Sequence, residues 1–215
     1  ITARDPYWLD RAVAACTADA STAIMCCREA GPHRLVPPTE THDGRPGGQA
    51  LPKAMPRFRL LIEYNGTRYS GWQVQRNART VQGDLIEAVQ KVTGRRDRLE
   101  VYGAGRTDAG VHALGQVAHL DVATNLPPNT LQLRLNEALP ADINILDVRT
   151  VGHRFHARHD AIGRRYVYQV SRRRTAFSKP FVWWVRERLD IDAMRRGAAS
   201  FVGRLDFEAF SDDDA

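Results

Sequence analysis

Gly103-Ala104-Gly105-Arg106-Thr107-Asp108-Ala109-Gly110-Val111-His112-Ala113 lies between two strand-like runs, Leu99 to Tyr102 before it and Gln116 to Val122 after it. Glycines at 103, 105 and 110 let the backbone approach a ligand closely and adopt conformations closed to other residues. One short acid, Asp108, is thereby held in a loop and left accessible. Arg106 stands two positions earlier, where it either favours the charged form of Asp108 or holds a phosphate. The same pattern also describes a purely structural turn, because Asp closes turns by bonding nearby backbone N–H groups. A dinucleotide-binding fingerprint is excluded: the third glycine it needs is Asp108, and no acid follows at the ribose-binding distance.

Moving outward, Phe58, Leu60, Ile62 and Tyr64 alternate as in a half-buried strand, and Asn65-Gly66 is a turn signal with Tyr69 and Trp72 just beyond it. Thr80 is a helix cap ahead of Val81, Leu85, Ala88, Val89 and Val92, and Gly94 ends that helix. Pro127 or Pro128 opens a second helix with Leu131, Leu135 and Ala138 on one face. Ile143 to Val151 and Arg164 to Ser171 read as strands, and Asp190 caps a last helix carrying Met194, Ala198, Phe201 and Val202, closed by Gly203. Strands interleaved with helices predict a layered α+β (mixed α/β) fold.

The first 54 residues differ. Ile1 to Glu29 is alanine-rich and reads as a loose helix, and Gly31 to Pro52 has the Pro, Gly and polar content of a disordered linker. The organisation expected is an unassigned extension over 1–54, an α/β domain with the Gly103–Ala113 loop over 55–152, and a further α/β domain beginning at 153–215. Met55, just ahead of the first clear strand, is a plausible natural start.

Composition narrows the function classes. The chain has 215 residues, 43% hydrophobic and 26% charged, enough for one sizeable core or two small ones. No run is long and apolar enough to span a membrane. The cysteines, Cys16, Cys26 and Cys27, form neither a disulfide framework nor a zinc pattern, so a reducing cytoplasm is expected. A net charge of +6 leans towards an anionic partner such as nucleic acid.

Two stretches have phosphate-binding character. Phe155-His156-Ala157-Arg158-His159 sets an arginine among histidines and an aromatic, and Arg164-Arg165-Tyr166-Val167-Tyr168 runs on to Arg172-Arg173-Arg174. In a strand, Arg164, Tyr166 and Tyr168 share a face, so charges neutralise phosphates while rings stack on unpaired bases. A solvated basic edge strand is the structural alternative. His153, His156 and His159 have no carboxylate or cysteine cluster to complete a metal site, so no metal is expected.

These motifs together resemble the TruA-type tRNA pseudouridine synthases. The signature is Gly105-Arg106-Thr107-Asp108-Ala109-Gly110-Val111-His112. Around it, in family order, come Ile62-Glu63-Tyr64-Asn65-Gly66, Tyr69-Ser70-Gly71-Trp72-Gln73, Thr80-Val81-Gln82, Gly115-Gln116-Val117 and Asn136-Glu137-Ala138-Leu139-Pro140. Phe155-His156-Ala157-Arg158, Arg164 to Tyr168 and Asp206-Phe207-Glu208-Ala209-Phe210 complete the series, so the resemblance runs from about Arg57 to Ser211.

The resemblance implies the pseudouridine synthase fold, with an antiparallel or mixed sheet flanked by helices. It implies isomerisation of uridine to pseudouridine at positions 38, 39 and 40 of the tRNA anticodon arm, without cofactor or metal. Asp108 is then the nucleophile, Arg106 helps hold the flipped nucleotide, and Tyr166 stacks on the target base and takes part in the final proton removal. Phe155, His156, Ala157, Arg158 and His159, with Arg164 and Arg165, become tRNA-binding residues. A homodimer is implied for the full-length protein. Family members continue well past Ala215, so a C-terminally truncated member is expected, lacking later strands, further tRNA contacts and an arginine that pairs with the aspartate. The rival functions are a non-catalytic RNA-binding module and a small-molecule hydrolase pairing Asp108 with His112.

Overall fold

The computed structural model describes residues 24–29, 55–97 and 99–210. In chain order the elements are β1 (Ile24–Glu29), β2 (Arg57–Tyr64), α1 (Val81–Thr93), β3 (Glu100–Gly103), β4 (His112–Asp121), α2 (Pro128–Ala138) and β5 (Ile143–Val151). They continue with β6 (Ala161–Val167), β7 (Val170–Ser171), β8 (Trp183–Trp184) and α3 (Ile191–Ala199), with short 3-10 turns at Gly66–Arg68, Lys179–Phe181 and Glu208–Phe210.

Local chemistry accounts for the helix boundaries. The Thr80 hydroxyl accepts the Gly83 amide at the start of α1, and Gly94 closes it in the left-handed conformation, φ 68°. Pro128 takes the first position of α2, where its missing N–H costs nothing. Asp190 caps α3 by accepting the Ala193 amide. That helix stops at Ala199, short of the Gly203 stop expected from sequence, so Phe201 and Val202 lie beyond it.

The main sheet has the order β5-β2-β4-β1-β6, with β3 also pairing β4. β2 lies antiparallel to β4 along one edge, from Arg57 opposite Asp121 to Tyr64 opposite Ala113. The other edge of β4 is shared: β3 takes Ala118 to Asp121, and β1 runs parallel to the start of β4, with Ile24 opposite His112. β1 then pairs antiparallel with β6. The expected loose helix over Ile1 to Glu29 is thus a strand at Ile24–Glu29. Its Ile-Met-Cys-Cys run lacks the helical spacing of apolar residues, and ladder bonds to two neighbours outweigh weak helix propensity. The rest of that stretch, and the linker expected over Gly31 to Pro52, lie outside the described residues.

The core sits between this sheet and α1 and α2. Phe58, Leu60, Ile62 and Tyr64 of β2 face Val81, Leu85, Ala88 and Val89 of α1 and Leu131 and Leu135 of α2. On β5 the buried positions are Ile143, Ile145 and then Val148. The change of parity falls where the β2 pairing slips between Leu61 and Ile62, because one extra residue turns the following side chains over. Phe155 and Ala157 belong to the same core. The Arg57 guanidinium grips the Asp121 carboxylate with two nitrogens, at 2.7 and 2.5 Å, and donates to the carbonyls of His153 and Phe155. One bidentate pair therefore ties β2, β4 and the chain before β6 together. Beyond β6 large apolar side chains are open to solvent, among them Trp183, Met194, Phe201 and Val202. Among the described residues no helix is long and apolar enough to cross a membrane.

Candidate active site

The loop from Ala104 to Val111 leaves β3 and enters β4, and the connection between β2 and α1 clamps it at successive points. The Trp72 amide donates to the Thr107 carbonyl at 3.0 Å, and the hydroxyls of Tyr64 and Thr107 share a hydrogen bond of 2.8 Å. The Gly110 amide donates to the Tyr69 carbonyl at 3.1 Å. The Gly66 amide donates to His112 Nδ1 at 3.1 Å. From the sheet side, the Ala104 amide donates to the Val117 carbonyl and the Gln116 side chain to the Gly105 carbonyl, both at 2.7 Å.

Two glycines make this contact possible. A Cβ on Gly66 would stand 2.0 Å from the Val111 carbonyl oxygen, and one on Gly71, whose φ is +90°, 2.4 Å from that of Thr107. The Asn65-Gly66 turn and the Tyr69–Trp72 aromatics are visible in the sequence. Their partnership with the loop is not, because it joins segments some forty residues apart.

The consequence for Asp108 is specific. Thr107 before it is buried and bonded through both hydroxyl and carbonyl, while the Asp108 carboxylate is exposed and takes part in no hydrogen bond or ion pair among the described residues. A fixed backbone thus carries a free carboxylate at this position. Arg106 is likewise exposed and forms no ion pair with Asp108.

His112 is not a base for Asp108. Nδ1 is occupied by the Gly66 amide, the ring also bonds the Pro180 carbonyl, and it lies against Phe181 with centroids 5.0 Å apart. Burial lowers its pKa and keeps it neutral. A hydrolase built on Asp108 and His112 has no free nitrogen to work with.

The phosphate-binding stretches divide by burial. Phe155 and Ala157 are buried, so their side chains support the segment from within, while Arg158 and His159 are exposed and His156 is half-buried. The Ala157 amide donates to Nδ1 of buried His119, and the His156 ring stands 4.7 Å from His119 and 4.2 Å from His159. Burial first, then the neighbouring Arg57 charge, push the His119 pKa down to about 4, and burial and the His159 charge lower that of His156. His156 Nδ1 accepts the amides of Arg158 and His159, so this ring too serves the local turn. Among the described residues no group of three metal-ligating side chains is arranged around one point.

Arg164 joins these stretches to the loop. It donates to the Ala104 carbonyl from Nε at 3.0 Å and from Nη2 at 2.6 Å, and to the Arg158 carbonyl at 3.2 Å. Its role here is to brace the loop base rather than to offer a free charge. Arg165 and Tyr166 are exposed, the tyrosine by 57%. The strand expected through Ser171 breaks after Val167, so Tyr168, although exposed, lies outside β6.

Two family models match parts of this chain. Residues 60–160 match the family model described as tRNA pseudouridine synthase. Residues 1–60 match the model described as formylmethanofuran-tetrahydromethanopterin formyltransferase. The chain is 47% identical over 161 residues to tRNA pseudouridine synthase A of Rhodopseudomonas palustris, covering 74% of this chain and 65% of that protein. The protein of the same name from Sinorhizobium medicae is also 47% identical, with 73% and 64% covered. That of Paramagnetospirillum magneticum is 44% identical over 159 residues, with 73% and 61% covered. The chain thus spans about 65% of the length of the first of these relatives.

Proposed function

We propose that the chain, similar to tRNA pseudouridine synthases over residues 60–160 and 47% identical to a relative of that name, is a member of that family and isomerises uridine to pseudouridine in the anticodon arm of tRNA, at positions 38, 39 and 40. The observation that carries the reading is the free, exposed carboxylate of Asp108 on a backbone pinned through Thr107 and Gly110.

In the proposed reaction the target nucleotide leaves its stem, at a cost of a few kcal/mol in lost stacking and pairing. Exposed Arg106 and Arg158 meet phosphates, and exposed Tyr166 offers a face for the extruded base. Asp108 attacks as the nucleophile and the bond between ribose C1′ and uracil N1 breaks. The uracil, released with the electron pair on N1, turns; C5 joins C1′ as Asp108 leaves, and the proton lost from C5 with help from Tyr166 is balanced by one gained at N1. Splitting one substitution into two steps is the general advantage of a carboxylate nucleophile. No oxidant, cofactor or metal enters this balance. A homodimer sharing one tRNA, working in the cytoplasm, completes the proposal, as does the division at about residue 152 between a loop-bearing part and a second α/β part.

Tritium release from tRNA carrying 5-tritiated uridine tests the reaction. Release by this chain and none by Asp108→Asn supports both the reaction and the nucleophile. Equal release by both removes Asp108 from the mechanism. Salt-dependent tRNA binding without release by either would favour the non-catalytic RNA-binding reading.

A further inference from the structure

Between Val170 and Arg186 the chain carries five cations, Arg172, Arg173, Arg174, Lys179 and Arg186, and no carboxylate. None of the five enters an ion pair among the described residues. Other arginines behave differently: Arg57, Arg59 and Arg149 of the sheet, and Arg79 just ahead of α1, are each matched with an aspartate. Phe177 stands in the middle of this charge with 97% of its surface in water. A large exposed ring among unpaired cations raises free energy on both counts, and a polyanion with stackable bases lowers it on both.

The segment is shaped and anchored. At its base β7 pairs with β8, the Trp183 amide donates to the Gln169 carbonyl, and the Val185 amide donates to that of Ser171. The Ser171 hydroxyl donates to the Arg173 carbonyl and accepts the Arg173 amide, and the Thr175 hydroxyl accepts the Ser178 amide. Arg174 lies over the Trp184 ring at 5.9 Å, which leaves Arg172, Arg173, Lys179 and Arg186 as the uncommitted charges. The descending limb rests on His112, through the Pro180 carbonyl and the Phe181 ring, four residues after Asp108 in the chain. The descending limb is therefore held beside the strand that follows the Asp108 loop.

We propose that residues 172–179 form a second RNA-contacting element, in which Arg172 and Arg173 meet backbone phosphates and Phe177 stacks on an unpaired base. The inference rests on the reading that the partner is RNA, and goes beyond it by assigning a surface outside the Phe155–His159 and Arg164–Tyr166 stretches.

Fluorescence anisotropy with the full chain tests it, using a labelled RNA stem-loop and a blunt duplex of the same stem across a salt series. Arg172→Ala/Arg173→Ala leaves the Arg174–Trp184 contact intact and should reduce the slope of log affinity against log salt by about 1.4 to 1.8, the loss of two phosphate contacts. Phe177→Ala should weaken the stem-loop by about five- to hundredfold, leaving the duplex affinity and the salt slope unchanged. Arg158→Ala, from the surface already assigned to RNA, runs beside them. A parental slope in the double variant overturns the phosphate contacts. Parental stem-loop affinity in Phe177→Ala, or equal weakening on both RNAs, overturns the stacking. If Arg158→Ala weakens binding while the 172–179 variants do not, this inference falls and the functional reading stands. A parent chain that binds neither RNA removes both.

Discussion

Replacing Gly71 with alanine should unsettle the Asp108 loop by an amount that can be separated into two parts. The first is conformational. Gly71 sits at φ +90°, where an L residue meets its own carbonyl, a cost of about 1–2 kcal/mol. The second is steric: the new Cβ falls 2.4 Å from the Thr107 carbonyl oxygen, about 1 Å inside ordinary contact. That oxygen accepts the Trp72 amide at 3.0 Å, so moving it weakens a buried hydrogen bond worth about 1 kcal/mol. Gly71→Ala should therefore destabilise by about 2–3 kcal/mol. Gly110→Ala is the control: φ is +79° but nothing lies within 4 Å of its added Cβ, so only the first cost, about 1–2 kcal/mol, applies. Urea unfolding followed by tryptophan fluorescence measures both, since Trp72 is buried beside the change. If Asp108 is the nucleophile proposed above, a displacement of about 1 Å beside it also costs about a hundredfold in rate, readable in the tritium assay. Equal destabilisation by the two variants would refute the steric argument, and a loss below about 1 kcal/mol for Gly71→Ala would refute both parts.

Three further predictions draw on other parts of the structure. Asp121→Ala strands the largely buried Arg57 guanidinium and should cost about 2–3 kcal/mol in the same unfolding assay, whereas a loss under about 1 kcal/mol would mean the pair is not holding β2, β4 and residues 153–155 together. His119 is kept neutral in the folded state at a pKa of about 4, against about 6.5 unfolded. The unfolded chain takes up its proton first as pH falls, so this contribution, roughly 3 kcal/mol, is complete above pH 6.5 and is lost between 6.5 and about 4. His119→Asn, whose amide oxygen still accepts the Ala157 amide, should flatten that pH dependence, and an unchanged profile would assign it to His112 and His156 instead. Tyr64→Phe and Thr107→Val remove two ends of one buried hydrogen bond, so a double-mutant cycle on stability should show a coupling of about 0.5–1.5 kcal/mol, and strict additivity would contradict the contact.

Much of this protein is legible along the chain because its causes are local. Thr80, Pro128 and Asp190 open helices, and Gly94 closes one, by chemistry confined to a single turn. The alternation of Phe58, Leu60, Ile62 and Tyr64 marks a strand with one buried face, and the Gly105 to His112 motif singles out Asp108 before any coordinates are seen. Where a reading depended on propensity alone it failed. Ile24–Glu29 forms a strand between β4 and β6 because two ladders are available to it, and the last helix stops at Ala199 before the apolar pattern ends.

Tertiary structure decided what each side chain of the site is free to do. Sequence places Phe155, Ala157, Arg158 and Arg164 in one basic, aromatic neighbourhood, yet burial sends the first two into the core and leaves only Arg158 as an open charge. Arg164 spends its guanidinium on the Ala104 and Arg158 carbonyls, and His112 spends both ring nitrogens on Gly66 and Pro180. Asp108 and Arg106 stay uncommitted because Tyr64, Tyr69 and Trp72, from another part of the chain, take over the work of holding the loop. Residue type sets what chemistry a position can perform; whether the group is available for it depends on hydrogen bonds and burial supplied by segments distant in sequence, and those exist only once the chain is folded.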